Sequence, residues 1–124
     1  MALNIKNFLL SQNNKSKIGD FQDLKHIDGV AISAISANLY KESRDDLVLF
    51  YFRDGANYAS VYTQSKIFSE NIKWNLSLRN NSVKALLVNT RNANAFTGKQ
   101  GFKGIVQIAE ELSKKLTIKM VEDD

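Results

Sequence analysis

Three asparagines, two threonines and two glycines crowd into Val88-Asn89-Thr90-Arg91-Asn92-Ala93-Asn94-Ala95-Phe96-Thr97-Gly98-Lys99-Gln100-Gly101. An asparagine amide both donates and accepts, and its backbone tolerates the left-handed region. Glycine lets two stretches of backbone approach closely. Between a buried strand and a helix, such a loop presents free N–H groups that can hold an anion or a carboxylate. Asn89, Asn92, Asn94, Thr97 and Gly98 are therefore the candidate residues, either shaping the loop or lying close to a substrate. The plainer reading is a structural turn whose asparagines satisfy their own main chain. The segment matches neither the GxxxxGK nor the GxGxxG phosphate-binding pattern.

Other chemistry-bearing residues are sparse. His26 is the sole histidine and lies in the polar stretch Asp23-Leu24-Lys25-His26-Ile27-Asp28, which reads as surface. The absence of cysteine excludes a disulfide, a thiol nucleophile and a thiolate metal site within the chain, and with one histidine a structural zinc site, or any metal or cofactor, is not expected. Asp45 and Asp46 are adjacent, so on a strand they face opposite sides and cannot form a paired acid and base. Trp74 and the tyrosines read as core.

The elements that must position these residues follow from periodicity. Residues 29–37 mix Val and Ile with small residues and predict a strand; 41–46 is a charged loop. Leu47-Val48-Leu49-Phe50-Tyr51-Phe52 is apolar on both faces and predicts an inner strand. Asp54-Gly55 is a hairpin turn signal, with Tyr58–Thr63 as the returning strand. Ser69 predicts the N-cap of a helix running to about Leu78, with Ile72, Trp74, Leu76 and Leu78 facing inward. Val83–Asn89 is a further buried strand. Thr97 and Gln100 have capping-box spacing at the start of the last helix. Phe102, Ile105, Val106, Ala109, Leu112 and Leu116 form its apolar face. Glu110 with Lys114, and Glu111 with Lys115, are i,i+4 pairs on its solvated face. Before residue 28, Phe8, Leu9 and Leu10 could open a short helix, and 12–16 is a polar break. The fold class is α/β, in the layered α+β sense: a mixed sheet with helices packed on one face.

Composition bounds the partners. The chain has 124 residues and a net charge of +4, with basic residues spread among acids and not interleaved with aromatics. That reads as an ordinary surface, with no nucleic-acid partner. No apolar run approaches a membrane span, and the N-terminus lacks a secretory h-region, so no membrane partner and a cytoplasmic location are expected.

Residues 88–101 are similar to the ornithine acetyltransferase (glutamate N-acetyltransferase) signature V-N-S-G-N-A-N-A-C-T-G-x-x-G. Asn89, Asn92, Ala93, Asn94, Ala95, Thr97, Gly98 and Gly101 stand where the family has them; Arg91 replaces a usual glycine and Phe96 a usual cysteine. Ser43-Arg44-Asp45-Asp46-Leu47 resembles the family's S-G-R-x-D-L, Tyr58–Thr63 its A-x-V-F-T strand, and Gly29-Val30-Ala31 its opening strand. The resemblance runs collinearly over about residues 28–116, so residues 1–27 read as an extension and 28–124 as the N-terminal portion of such a domain.

The resemblance implies a place in arginine biosynthesis. Family members move acetyl from N-acetylornithine to glutamate, and some use acetyl-CoA. Their precursor cuts itself before an internal threonine, which becomes the N-terminal nucleophile of a second chain, its free amine serving as base. A Thr-Gly turn holds the oxyanion. Neither the turn nor the cleavage motif occurs here; Thr63, Thr90, Thr97 and Thr117 are the only threonines. The implied function is an N-terminal fragment or subunit, inactive alone, whose partner is a second chain carrying the threonine nucleophile. The alternative is a non-catalytic, self-associating module that forms an oligomer.

Overall fold

The computed structural model describes residues 25–120. Five elements follow in order: β1 (Val30–Ile35), β2 (Leu47–Asn57), α1 (Glu70–Ser77), β3 (Ser82–Asn89) and α2 (Gly98–Leu116). The expected helix near Phe8 and the acidic end at 121–124 lie outside the described residues. The three strands form one sheet in the order β1-β2-β3, and both pairings are antiparallel. The run that is apolar on both faces is thus the central strand, as its composition requires.

Register sorts the side chains. Ile35 pairs with Leu47 and Ser33 with Leu49, while Leu49 also pairs with Leu87; these share one face. Ile32 pairs with Phe50, which pairs with Leu86, and Ala34 with Val48, which pairs with Val88; these share the other. Helix α2 lies over the first face across a groove of about 630 Å³, lined by Ile35, Leu47, Leu49 and Leu87 from the sheet and Ile108 and Leu112 from the helix. The opposite face is open: Ile32 is 59% exposed, Leu86 50% and Val88 43%; β3, expected to be buried, is instead an edge strand whose side chains alternate between half-buried and exposed. Among the described residues no apolar side chain is fully buried.

The predicted hairpin is absent. Asp54-Gly55 sits inside β2, and residues 58–63 form no strand. A two-residue hairpin turn of the favoured type needs positive φ at both central residues. Here only Gly55 has it, at 81°. The pairing instead shifts register between Tyr51 and Ala56, a bulge that lets β2 continue to Asn57 and pair with β3. The Lys84 ammonium donates to the Arg53 carbonyl across the gap at 2.9 Å. At the surface of this bulge Arg53 donates to Asp28 at 3.1 and 3.2 Å and to Asp54 at 3.0 Å. The Asp28 bond, more than Asp54, raises the Arg53 pKa, and Arg53 holds the Asp54 carboxyl below the usual carboxylate range.

The helices pack on each other through Trp74 and Phe102, whose rings meet edge to face with centroids 6.0 Å apart. All six residues predicted for the apolar face of α2 are half-buried. On α1, Ile72, Trp74 and Leu78 are half-buried, but Leu76 faces solvent at 53% exposure. Eight residues give only two turns, too short for both predicted stripes to find cover. On α2 the ion pair formed is Glu111 with Lys114, at i,i+3 and 3.1 Å, in place of the two expected i,i+4 pairs.

Candidate functional site

The loop between β3 and α2 is organised by Asn94. Its carbonyl accepts from the Glu70 N–H at 3.0 Å, which ties the loop to the start of α1. Its amide Nδ2 donates to the Gly101 carbonyl at 3.1 Å, which ties it to the first turn of α2. Its Oδ1 accepts from the Thr97 hydroxyl. One asparagine therefore joins two helix starts and its own loop. Gly101 makes this possible: a Cβ there would lie 2.6 Å from Thr97 Cβ and collide with the Asn94 amide oxygen.

The expected capping bonds are not made. Thr97 is the N-cap of α2, but its backbone is already helical, with φ −93° and ψ −11°. A capping hydroxyl needs an extended backbone to reach the N–H two or three residues on. The Thr97 hydroxyl turns to Asn94 instead. Ser69 has the extended backbone of an N-cap, φ −72° and ψ 159°, yet its side chain makes no capping bond. The Glu70 N–H that opens α1 is satisfied by Asn94.

The other candidates separate. Gly98, at φ 57°, begins α2 with open space around it, and with Glu70, Lys73, Lys99 and Phe102 it lines a groove of about 550 Å³. Asn89 ends β3 opposite Leu47 and is exposed; among the described residues its amide makes only a long bond of 3.5 Å to the Thr90 carbonyl. Asn92 is exposed at φ 22°. The loop thus brings Asn94, Thr97 and Gly101 together and leaves the Asn89 and Asn92 amides facing solvent.

Two carboxylates escaped the sequence reading as structural centres. Asp46, 1% exposed, accepts from the Ala37 N–H at 2.6 Å and the Leu39 N–H at 2.9 Å. Its backbone bonds the Ile35 carbonyl and the Thr90 N–H, so one residue holds the 36–39 turn against the start of the asparagine loop. Asp45 is exposed and Asp46 buried, so the two do not form a paired acid and base, although both precede β2 and the opposite faces of a strand do not separate them. Glu70, 6% exposed, pairs with Lys73 at 2.6 Å. Nothing in the spacing marks Asp46 as buried; its place just before the apolar run Leu47–Phe52 was the available signal. Among the described residues no group of His, Cys, Asp and Glu could hold a metal ion, and no helix is long and apolar enough to cross a membrane.

Arg91, where the family signature has glycine, takes a left-handed backbone with φ 64°, the region that glycine favours. Phe96 is likewise left-handed, at 58°, and 88% exposed.

The ArgJ family model matches residues 31–123. The chain is 34% identical over 99 residues to the arginine biosynthesis bifunctional protein ArgJ of Caulobacter vibrioides, covering 77% of this chain and 25% of that protein. It is 38% identical over 80 residues to the ArgJ protein of Bradyrhizobium diazoefficiens, covering 64% and 19%. The crystal structure of the Bacillus halodurans ArgJ protein superposes with a TM-score of 0.68 at 26% identity, covering 74% of this chain and 49% of that one. The chain spans about a quarter of the length of the curated relatives it matches. The collinear match and the shared fold have one conclusion: the chain belongs to the ArgJ family.

Proposed function

We propose that residues 28–124 are the N-terminal portion of an acetyltransferase that moves acetyl from N-acetylornithine to glutamate in arginine biosynthesis, with residues 1–27 as an extension. The chain works in the cytoplasm with a second polypeptide that begins with the threonine nucleophile, and it is inactive alone. The observation that carries this reading is the strand, asparagine loop and helix over 82–116, which lie in the order that the family signature implies, with Arg91, Phe96 and Gly98 in the left-handed region.

In this reading the loop's residues divide the work. Asn94, Thr97 and Gly98 shape the turn; the exposed side chains of Asn89, held only by its long bond to Thr90 among the described residues, and Asn92 are the groups available to a substrate. The second chain's threonine hydroxyl attacks the acetyl carbonyl of N-acetylornithine, its own α-amine taking the proton, and ornithine leaves. Glutamate's amine then takes the acetyl group from the threonine ester. The chain supplies scaffold and loop to that pocket, not the nucleophile.

The test is to mix the purified chain with the threonine-starting polypeptide of a relative and assay acetyl transfer from N-acetylornithine to glutamate. The reading expects no turnover from the chain alone and turnover from the mixture. A mixture with neither complex nor turnover would contradict it. The open apolar sheet face favours one second reading, a non-catalytic module that covers Ile32, Leu86 and Val88 by self-association. A defined homo-oligomer that ignores the second polypeptide would favour that reading.

A further inference from the structure

We propose that Arg44, Tyr40 and Arg91 form a binding site for a small oxyanion, a carboxylate or phosphate group, at the edge of the asparagine loop. Arg44 lies over the Tyr40 ring with its guanidinium carbon 4.4 Å from the centroid, and Arg91 lies over the same ring at 5.1 Å. Both distances are to one point, so the two positive charges sit within about one Debye length of each other, ~10 Å at 0.1 M salt. Among the described residues neither arginine has a salt-bridge partner. Glu42 and Asp45, in the same loop, pair with neither, and the Asp46 carboxylate is committed to the Ala37 and Leu39 N–H groups.

Stacking engages the flat face of a guanidinium and leaves its N–H edge free. Two such edges beside one ring offer the donors that carboxylate and phosphate oxygens accept. The arrangement is held from below. Asp46 bonds the turn that leads into Tyr40 and, through its carbonyl, the Thr90 N–H next to Arg91. Arg44 lies two residues before Asp46 in the same segment.

Arg91 also sits where glycine is the unstrained choice. A left-handed backbone costs a residue with a Cβ about 1–2 kcal/mol, and Arg91 adopts it at φ 64°. A strained residue that brings a second charge to a ring already carrying one is explained by a ligand that needs both. The site does not depend on acetyl transfer, so its failure and that of the proposed function can be told apart.

Backbone-amide and arginine side-chain NMR of the full chain, titrated separately with inorganic phosphate and with glutamate, tests the site. Each titration is run with and without the threonine-starting polypeptide. Saturable shifts at Tyr40, Arg44 and Arg91 are expected with at least one anion, and the tighter of the two identifies the source. Arg91→Gly restores the residue the backbone prefers, so its thermal midpoint should hold or rise. Its binding should still weaken by about tenfold or more, the scale of one lost charge-assisted contact. Arg44→Gln should weaken it similarly. No saturable binding in either state, or equal affinity in Arg91→Gly and the parent chain, would overturn the proposal.

Discussion

Asp46 shows how a single carboxylate can fix two loops without doing chemistry. It is the most deeply buried side chain described, and two backbone N–H groups depend on it. Asp46→Ala leaves both donors without their acceptor and should destabilise the fold by about 2–4 kcal/mol, measured by chemical denaturation. A cost below about 0.5 kcal/mol, the range of ordinary surface changes, would show that water replaces it. Gly101→Ala should break the Asn94 clamp, because the added methyl needs the space of the Asn94 and Thr97 side chains. A loss of about 1–3 kcal/mol is expected, as for overpacking. Asn94→Ala combined with it should cost less than the two changes summed, since one collision is then already relieved. At this scale the sequence revealed which residues are unusual but not which bonds they make. Asn94 and Asn92 look alike in a string of letters; only the approach of α1 gives Asn94 its second helix to hold. The caps expected at Ser69 and Thr97 failed for reasons that local spacing does not carry: Asn94 takes the Glu70 N–H at the start of α1, and Thr97, already helical, turns its hydroxyl to Asn94.

Strands and helices were more legible, because their signals are repeated along several residues. β1, β3 and α2 fall where periodicity placed them, and β2 is the inner strand that its two-sided apolar run demands. The Asp54-Gly55 signal was misread as a hairpin because a glycine turn and a glycine bulge share the same two letters. What decides between them is the strand that pairs next, and that strand lies beyond α1. Gly55→Ala should destabilise by about 1–2 kcal/mol, the cost of a Cβ at positive φ. Thermal melting would read it. The ion cluster at the bulge gives a pH signature of definite sign. The Asp54 pKa is lowered in the fold, so its contribution is fully present above the unfolded carboxylate value and is lost as pH falls through the lower folded one. Carbon-detected NMR titration should find Asp54 below the usual range, and Arg53→Gln should return it upward.

The whole molecule is defined by what it leaves uncovered. An α/β layer normally buries both the sheet face under its helices and enough of the other to hold together. Here one face lies across a groove from α2 with Ile35 still 52% exposed, and the other presents Ile32, Leu86 and Val88 to solvent. Full burial of such side chains is worth about 1.5–3 kcal/mol each. The matched stretch is about a quarter of the length of the Caulobacter vibrioides relative, and under the proposed function further polypeptide covers this face. The sequence could not show this, since Ile32 and Leu49 read as equally apolar and only the sheet's pairing assigns them to opposite faces. The account therefore turns on completion by a second polypeptide, and hydrogen exchange of the β2 amides measures it directly. Adding the threonine-starting polypeptide should slow exchange at Val48, Phe50 and Phe52 by about a hundredfold or more, the equivalent of the burial of one or two large apolar side chains. Full protection of those amides in the dilute chain alone, unchanged by the addition, would contradict it.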